Sequence, residues 1–168
     1  KPFDKNRKGL NLGEGAGYIV LESTKSLKLT NNKRIASVLG WGNANDAYHQ
    51  TASSPNGEGA QKSMQLALKN ANISYKEIDY INAHGTATPN NDISEGKAIQ
   101  KIFGPKILFS STKSFTGHTL AASGIIECIY SILSIKNNTI FPTLRHQNIM
   151  PELDIHPVKN LIKDININ

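Results

Sequence analysis

Residues 78–89 read Ile-Asp-Tyr-Ile-Asn-Ala-His-Gly-Thr-Ala-Thr-Pro. The first six predict a short apolar strand, and His84-Gly85-Thr86 puts a polar turn at its end. A helix is expected next, over about residues 92–103, stopped by Gly104-Pro105. A second strand follows at 107–110 and runs into Ser110-Ser111-Thr112-Lys113. Strand, helix and strand in this order predict an α/β fold, with helices packed on a sheet. In such folds ligands bind beyond the carboxyl ends of the strands. The loops after Ala83 and after Ser110 are therefore the places to look for chemistry.

Working outward toward the C-terminus, Gly117-His118 is expected to open the longest helix. Its apolar stripe is Ala122, Ile125, Ile126, Ile129, Ile132 and Leu133, and Pro142 closes the unit. From Arg145 onward the tail is polar and irregular, with one weak strand expected at Leu153–Ile155. Toward the N-terminus, a helix over Gly57–Ala71 keeps the 3–4 spacing through Ala60, Met64, Ala67, Leu68 and Ala71. Asn72 stops it, and a helical turn is expected between Ser74 and Glu77. Asp46 to Gly57 is a polar loop. Two strands are expected at residues 34–42 and 16–22, the latter behind the cluster Gly13, Gly15 and Gly17. A short helix around Ser23–Leu29 and a loop at Asn31-Asn32 join them. No internal repeat is visible.

The 168 residues are enough for one domain with a sizeable core, and 38% hydrophobic against 19% charged residues is the balance of a soluble globular protein. No apolar run reaches the roughly 18 residues that a membrane helix needs. No apolar signal-peptide core follows the opening Lys-Pro-Phe-Asp. With no Met start, the sequence is expected to begin within a longer protein. The single cysteine, Cys128, excludes an internal disulfide framework and a CxxC metal site, and favours a reducing, cytoplasmic setting. The net charge of +6 admits an acidic partner. Clustered Arg and Lys with interleaved aromatics are missing, so nucleic acid is not expected.

Four residues carry candidate chemistry. His84, at a strand end before Gly85 and two threonines, either presents its imidazole to a cleft as acid, base or donor, or is a hydrogen-bonded structural residue. Lys113 follows an apolar strand, so its amine is expected near the sheet's end. His118 is expected at a helix N-terminus, where the positive potential favours a neutral ring able to donate to an oxygen gaining charge. Glu127 interrupts an apolar helical segment. Buried, it would need a cation, Lys113 being the obvious one; alternatively it faces solvent. As a metal set, His84, His118 and Glu127 have no zinc-type spacing and no thiolate. Gly13-Glu14-Gly15-Ala16-Gly17 precedes a strand, the wrong order for a phosphate loop. Cys128, mid-helix, is expected to serve packing.

Taken together, these segments resemble the β-ketoacyl-acyl-carrier-protein synthases of the elongation type. The landmarks are Pro2-Phe3-Asp4 with Arg7 and Gly9, Gly13-Glu14-Gly15-Ala16-Gly17, Asp46-Ala47-Tyr48-His49, Gly57-Glu58-Gly59-Ala60, Asn82-Ala83-His84-Gly85-Thr86, Ser111-Thr112-Lys113, and Gly117-His118 with Gly124 and Glu127. The Asp-Ala-Tyr-His loop looks more like the synthase II branch than the synthase I branch. The resemblance implies a thiolase-like α/β fold, layered helix–sheet–helix–sheet–helix, with residues 1–168 as its C-terminal half. It implies that the N-terminal half, the final strands and the nucleophilic Cys lie outside this chain, so that these residues alone are inactive.

The implied reaction is a decarboxylative Claisen condensation of malonyl-carrier protein with an enzyme-bound acyl thioester, in fatty-acid or polyketide synthesis. His84 and His118 would be the two histidines donating to the malonyl thioester oxygen, Lys113 would support them, and Glu127 would hold Lys113. Thr86 and Thr88 would contact the pantetheine arm. No metal or other cofactor is implied beyond the phosphopantetheine of acyl-carrier protein, and a homodimer is the implied assembly. The alternative in the same fold is a non-condensing, chain-length-factor-like partner subunit. Ala87, Asn91, Ala121 and Ser123 depart from the usual family residues, and none of these changes removes a catalytic group.

Overall fold

The computed structural model describes residues 1–30 and 32–167; Asn31, and with it part of the expected Asn31-Asn32 loop, lies outside the described residues, as does Asn168. The helices are α1 (Thr24–Thr30), α2 (Glu58–Ala71), α3 (Pro89–Phe103), the short α4 (Lys113–Thr116) and α5 (Ser123–Asn137). The strands are β1 (Tyr80–Asn82), β2 (Leu108–Ser110), β3 (Thr139–Ile140) and β4 (Ile162–Lys163). β1 and β2 pair in parallel, with Tyr80 opposite Leu108, Ile81 opposite Phe109 and Asn82 opposite Ser110. β3 and β4 pair antiparallel.

Local chemistry sets the element ends. Asn72 closes α2 in the left-handed conformation, its N–H returned to the Leu68 and Lys69 carbonyls. The helical turn expected after it is a 3₁₀ turn, Tyr75–Glu77, closed by a reciprocal capping box between Ser74 and Glu77. α3 starts at Pro89, three residues before the expected Asp92, because proline suits the first helical position. Gly104 ends it as the sequence predicts.

Side chains on a strand alternate between faces, and this places the layers. Ile81 joins a buried cluster of Phe3, Ala83, Ile99, Phe109, Met150, Leu153 and Ile155. Its neighbour Asn82 points the other way and donates to the Glu127 carbonyl of α5 at 2.9 Å. α3, which carries Ile99, and α5 therefore cover opposite faces of the β1–β2 pair. Phe3 meets Phe109 edge to face at 5.0 Å, tying the first residues to the centre of the sheet.

Three expectations change. Residues 16–22 and 34–42 have no ladder partner among the described residues, so they are not strands. They lie along helices instead: a Cβ on Gly15 or Gly17 would press on Ile125, Ile126 and Ile129 of α5, and one on Gly40 or Gly42 on Ser63, Leu66, Ala67 and Ala71 of α2. An apolar run suggests a strand, but a strand needs a hydrogen-bonding neighbour. The weak strand expected at Leu153–Ile155 is an irregular segment held by core burial, and the tail's strand is β4. The last helix begins at Ser123 rather than Gly117 and equals α3 in length at 15 residues. The glycine's φ of +72° and a 3₁₀ turn at Leu120–Ala122 keep 117–122 out of the helix. No helix of the described residues is long and apolar enough to cross a membrane.

Candidate active site

The carboxyl ends of β1 and β2 deliver His84 and Lys113 to the same place. The parallel register sets Asn82 beside Ser110, so the two outgoing loops leave side by side. Lys113 Nζ lies 2.9 Å from His84 Nδ1 and contacts Glu127 Oε1. The sequence left Glu127 either paired or solvent-facing, and it is paired. Ser123 Oγ, one turn earlier on α5, also donates to its carboxylate at 3.4 Å. The second Glu127 oxygen lies 3.9 Å from His84 Nδ1.

His118 completes the group, its ring perpendicular to that of His84 with centroids 5.1 Å apart. It sits in the loop before the 3₁₀ turn, not at the N-terminus of α5, and is held through its backbone. Its N–H donates to Asn11 O at 2.8 Å, and its carbonyl accepts Gly13 N–H at 3.1 Å. Residues 11–13 thus form a parallel bridge beside it.

Hydrogen-bond partners assign both tautomers. An ammonium has only donors, so the ring nitrogen facing Lys113, Nδ1 of His84, accepts and the proton is on Nε2. Nδ1 of His118 accepts the Leu120 N–H at 3.1 Å, which again puts the proton on Nε2. Both rings are pushed below the usual histidine range, by burial first and then by the Lys113 charge, so both are neutral at pH 7. The helix dipole expected to hold His118 neutral is not there; burial and the Lys113 charge act on its ring instead. Burial also lowers Lys113 to about 8, while the carboxylates of Glu95 and Asp92 pull it upward. His84 keeps an open edge, with 44% of its side chain exposed against 5% for Lys113.

Two carboxylates that sequence reading missed hold the histidine turn. Glu95 accepts the backbone N–H groups of His84 and Gly85 at 2.7 and 2.8 Å. Asp92 accepts those of Phe3 at 2.7 Å and Ala87 at 3.1 Å, and faces Arg7 at 3.8 Å. Burial raises both above the ordinary carboxylate range. The available signal was the i, i+3 spacing of Asp92 and Glu95, which puts both on one face of the first turns of α3.

Thr86 and Thr88 share a hydroxyl–hydroxyl bond of 2.8 Å and lie between two cavities. One, of about 320 Å³, is lined by Thr86, Ala87, Lys113 and His118 among others. The other, of about 440 Å³, is lined by Thr86, Thr88, Asn91 and Thr51 among others. Cys128, expected to pack, is exposed on α5. Among the described residues no group of three His, Cys, Asp or Glu side chains is placed to hold a metal ion.

The arrangement offers two neutral N–H donors beside a buried ammonium–carboxylate pair. Such a site can hold negative charge developing on a carbonyl oxygen without itself gaining or losing a proton.

Comparison with known proteins adds four findings. The sequence matches the family described as Beta-ketoacyl synthase, C-terminal domain, over residues 35–147. It is similar to a 3-oxoacyl-[acyl-carrier-protein] synthase 2 of Staphylococcus aureus, 45% identical over 170 residues that cover 99% of this chain and 42% of the relative. The fold is similar to that of a ketosynthase solved with its type II PKS acyl-carrier protein and bound to the hexaketide, with a TM-score of 0.93 and 34% identity over 99% of this chain and 42% of that one. It is similar also to a β-ketoacyl synthase of Burkholderia phymatum STM815, with a TM-score of 0.91 and 32% identity over 99% of this chain and 41% of that one. The chain therefore spans about two fifths of the length of the proteins it matches.

Proposed function

Because the chain belongs to the β-ketoacyl synthase family, through its C-terminal domain, we propose that residues 1–168 supply the histidine-bearing half of a 3-oxoacyl-acyl-carrier-protein synthase. The fold is the thiolase-like α/β fold of that family. The observation that carries the reading is the perpendicular pair of neutral imidazoles, His84 and His118, backed by Lys113 and Glu127.

In the proposed reaction the bond between the malonyl α-carbon and its carboxylate breaks, and carbon dioxide leaves. The electron pair passes to the thioester enolate, whose oxygen accepts the Nε2–H groups of His84 and His118. The α-carbon then attacks the acyl thioester of a cysteine outside this chain, and the cysteine thiolate departs. Lys113 keeps Nδ1 of His84 an acceptor, so Nε2 stays a donor, and Glu127 offsets the cost of burying the ammonium. Thr86 and Thr88, on the wall between the cavities, would meet the pantetheine arm.

No metal or other cofactor enters this scheme beyond the phosphopantetheine of the carrier. An acyl-carrier protein is the proposed partner; a similar ketosynthase is solved with one, and the +6 charge suits an acidic surface. A homodimer in the cytoplasm is the proposed setting, in fatty-acid or polyketide synthesis.

The test is malonyl-carrier decarboxylation and 3-oxoacyl formation by the intact protein, with His84→Ala and His118→Ala. Each variant is expected to lose about 100-fold in the rate of decarboxylation, the usual loss for one oxyanion donor. Wild-type protein that neither decarboxylates nor condenses would make this a partner subunit of the chain-length-factor kind.

A further inference from the structure

The segment from His84 to Pro89 has little ladder of its own to hold it, yet most of its backbone polar groups are paired. Gly85 O accepts Ser111 Oγ at 2.9 Å. Glu95 takes the N–H groups of His84 and Gly85, and Asp92 takes that of Ala87. Ala87 stands at a φ of +66°, a conformation unfavourable for a non-glycine residue, which therefore needs outside support. That support comes from residues 3–9: Gly9 N–H donates to Ala87 O at 3.0 Å, and Phe3 N–H to Asp92.

Arg7 supplies the rest from one planar fork. Its Nε donates to Thr88 O at 3.1 Å, Nη2 to Pro89 O at 2.8 Å and Nη1 to Asp4 O at 3.2 Å. Only 7% of its side chain is exposed, and Asp92 is its counter-charge. A lysine ammonium is a point donor on a flexible stem and cannot reproduce three diverging N–H groups in a plane. The turn so clasped is the wall between the two cavities, since Thr86 lines both and Thr88 the larger one.

We propose that Arg7 is a positioning residue, fixing the 86–89 turn and with it the Thr86–Thr88 hydroxyl pair at the partition between the cavities. The kinetic part of the proposal rests on the functional reading above; the structural part does not.

The experiment compares Arg7→Lys and Arg7→Ala with wild type in the intact protein, by two readouts. Amide hydrogen exchange of the peptide covering 84–92 is expected to quicken about tenfold, with residues 125–135 of α5 unchanged. KM for malonyl-carrier protein is expected to rise about tenfold while kcat and acylation of the cysteine stay within about threefold. Guanidinium is expected to restore Arg7→Ala in both readouts, and sodium chloride at equal concentration not to. Unchanged exchange at 84–92, equal quickening in α5, or a loss confined to kcat would each overturn the proposal. If wild type turns over no malonyl substrate, the functional reading fails, and the exchange contrast alone still decides Arg7.

Discussion

Lys113 is a buried ammonium whose pKa of about 8 lies well below the ordinary lysine value, chiefly because of burial. The sign of its effect on stability follows. Between about 8 and 10.5 the unfolded chain binds a proton that the folded chain has released, so this group's contribution to stability rises as pH rises through that window. At neutral pH the charge is retained at a cost of a few kcal/mol, at about 1.4 kcal/mol per pKa unit. The same ionisation bears on activity, since an uncharged amine no longer gives the site its positive charge. Decarboxylation by the intact protein is therefore expected to fall as pH passes about 8. In Lys113→Arg this fall should vanish over the accessible range, although the rate at pH 7 drops; a pH–rate profile of both proteins checks it. At this scale the sequence was most informative: His84, Lys113, His118 and Glu127 stand out because each is a titratable group where a strand end or apolar helix does not require one. Asp92, Glu95 and Arg7 do not stand out, because acids in a helix's first turns and a basic residue in a polar segment are ordinary choices. Beyond the i, i+3 spacing of Asp92 and Glu95, it is the backbone groups they bind that reveal their part.

Helices that pack on a sheet were legible from their periodicity, and α2, α3 and the body of α5 lie where spacing and caps put them. The segment between α4 and α5 was not, because its path is set by distant chain. Gly117, at a φ of +72°, turns there, and a Cβ on it would stand 3.0 Å from both Asn11 O and Gly13 N. Gly117→Ala is expected to cost about 1–2 kcal/mol from the left-handed backbone alone, and more from that crowding. It should also displace His118, its direct neighbour. A lower urea midpoint together with impaired malonyl decarboxylation would bear this out; retained activity at reduced stability would show that the His118 loop does not depend on the turn. Segments 16–22 and 34–42 teach the complementary lesson. Both were expected as strands and neither is one among the described residues, because no sequence pattern names the neighbour that turns an apolar run into sheet.

The whole chain exposes 10639 Å² of surface, against about 8,100 Å² for a closed monomer of its mass. The excess of about 2,500 Å² is the size of a large protein interface. Much of what is exposed is apolar: Tyr18 at 91%, Val20 at 88% and Val38 at 72%, with Leu39 and Trp41 close behind. These belong to the segments 16–22 and 34–42, which have no ladder partner among the described residues, so the apolar surface is concentrated there. Residues 1–168 produced alone are expected to bind a dye of exposed apolar surface such as ANS and to self-associate. Val20→Lys with Val38→Lys should reduce both, as read by fluorescence and by sedimentation, because neither side chain is part of the buried cluster.

Chain pattern alone was enough for the α/β class, the bodies of α2, α3 and α5 and the candidate titratable residues at strand ends, because periodicity, caps and residue type are local signals. The tertiary structure decided the rest. It brought His84, Lys113, His118 and Glu127 together across 44 positions of chain, assigned the tautomers, and clasped the histidine turn with Arg7, Asp92 and Glu95. A proton's position and a backbone group's partner depend on which atoms lie within hydrogen-bonding distance, and chain spacing does not encode that distance.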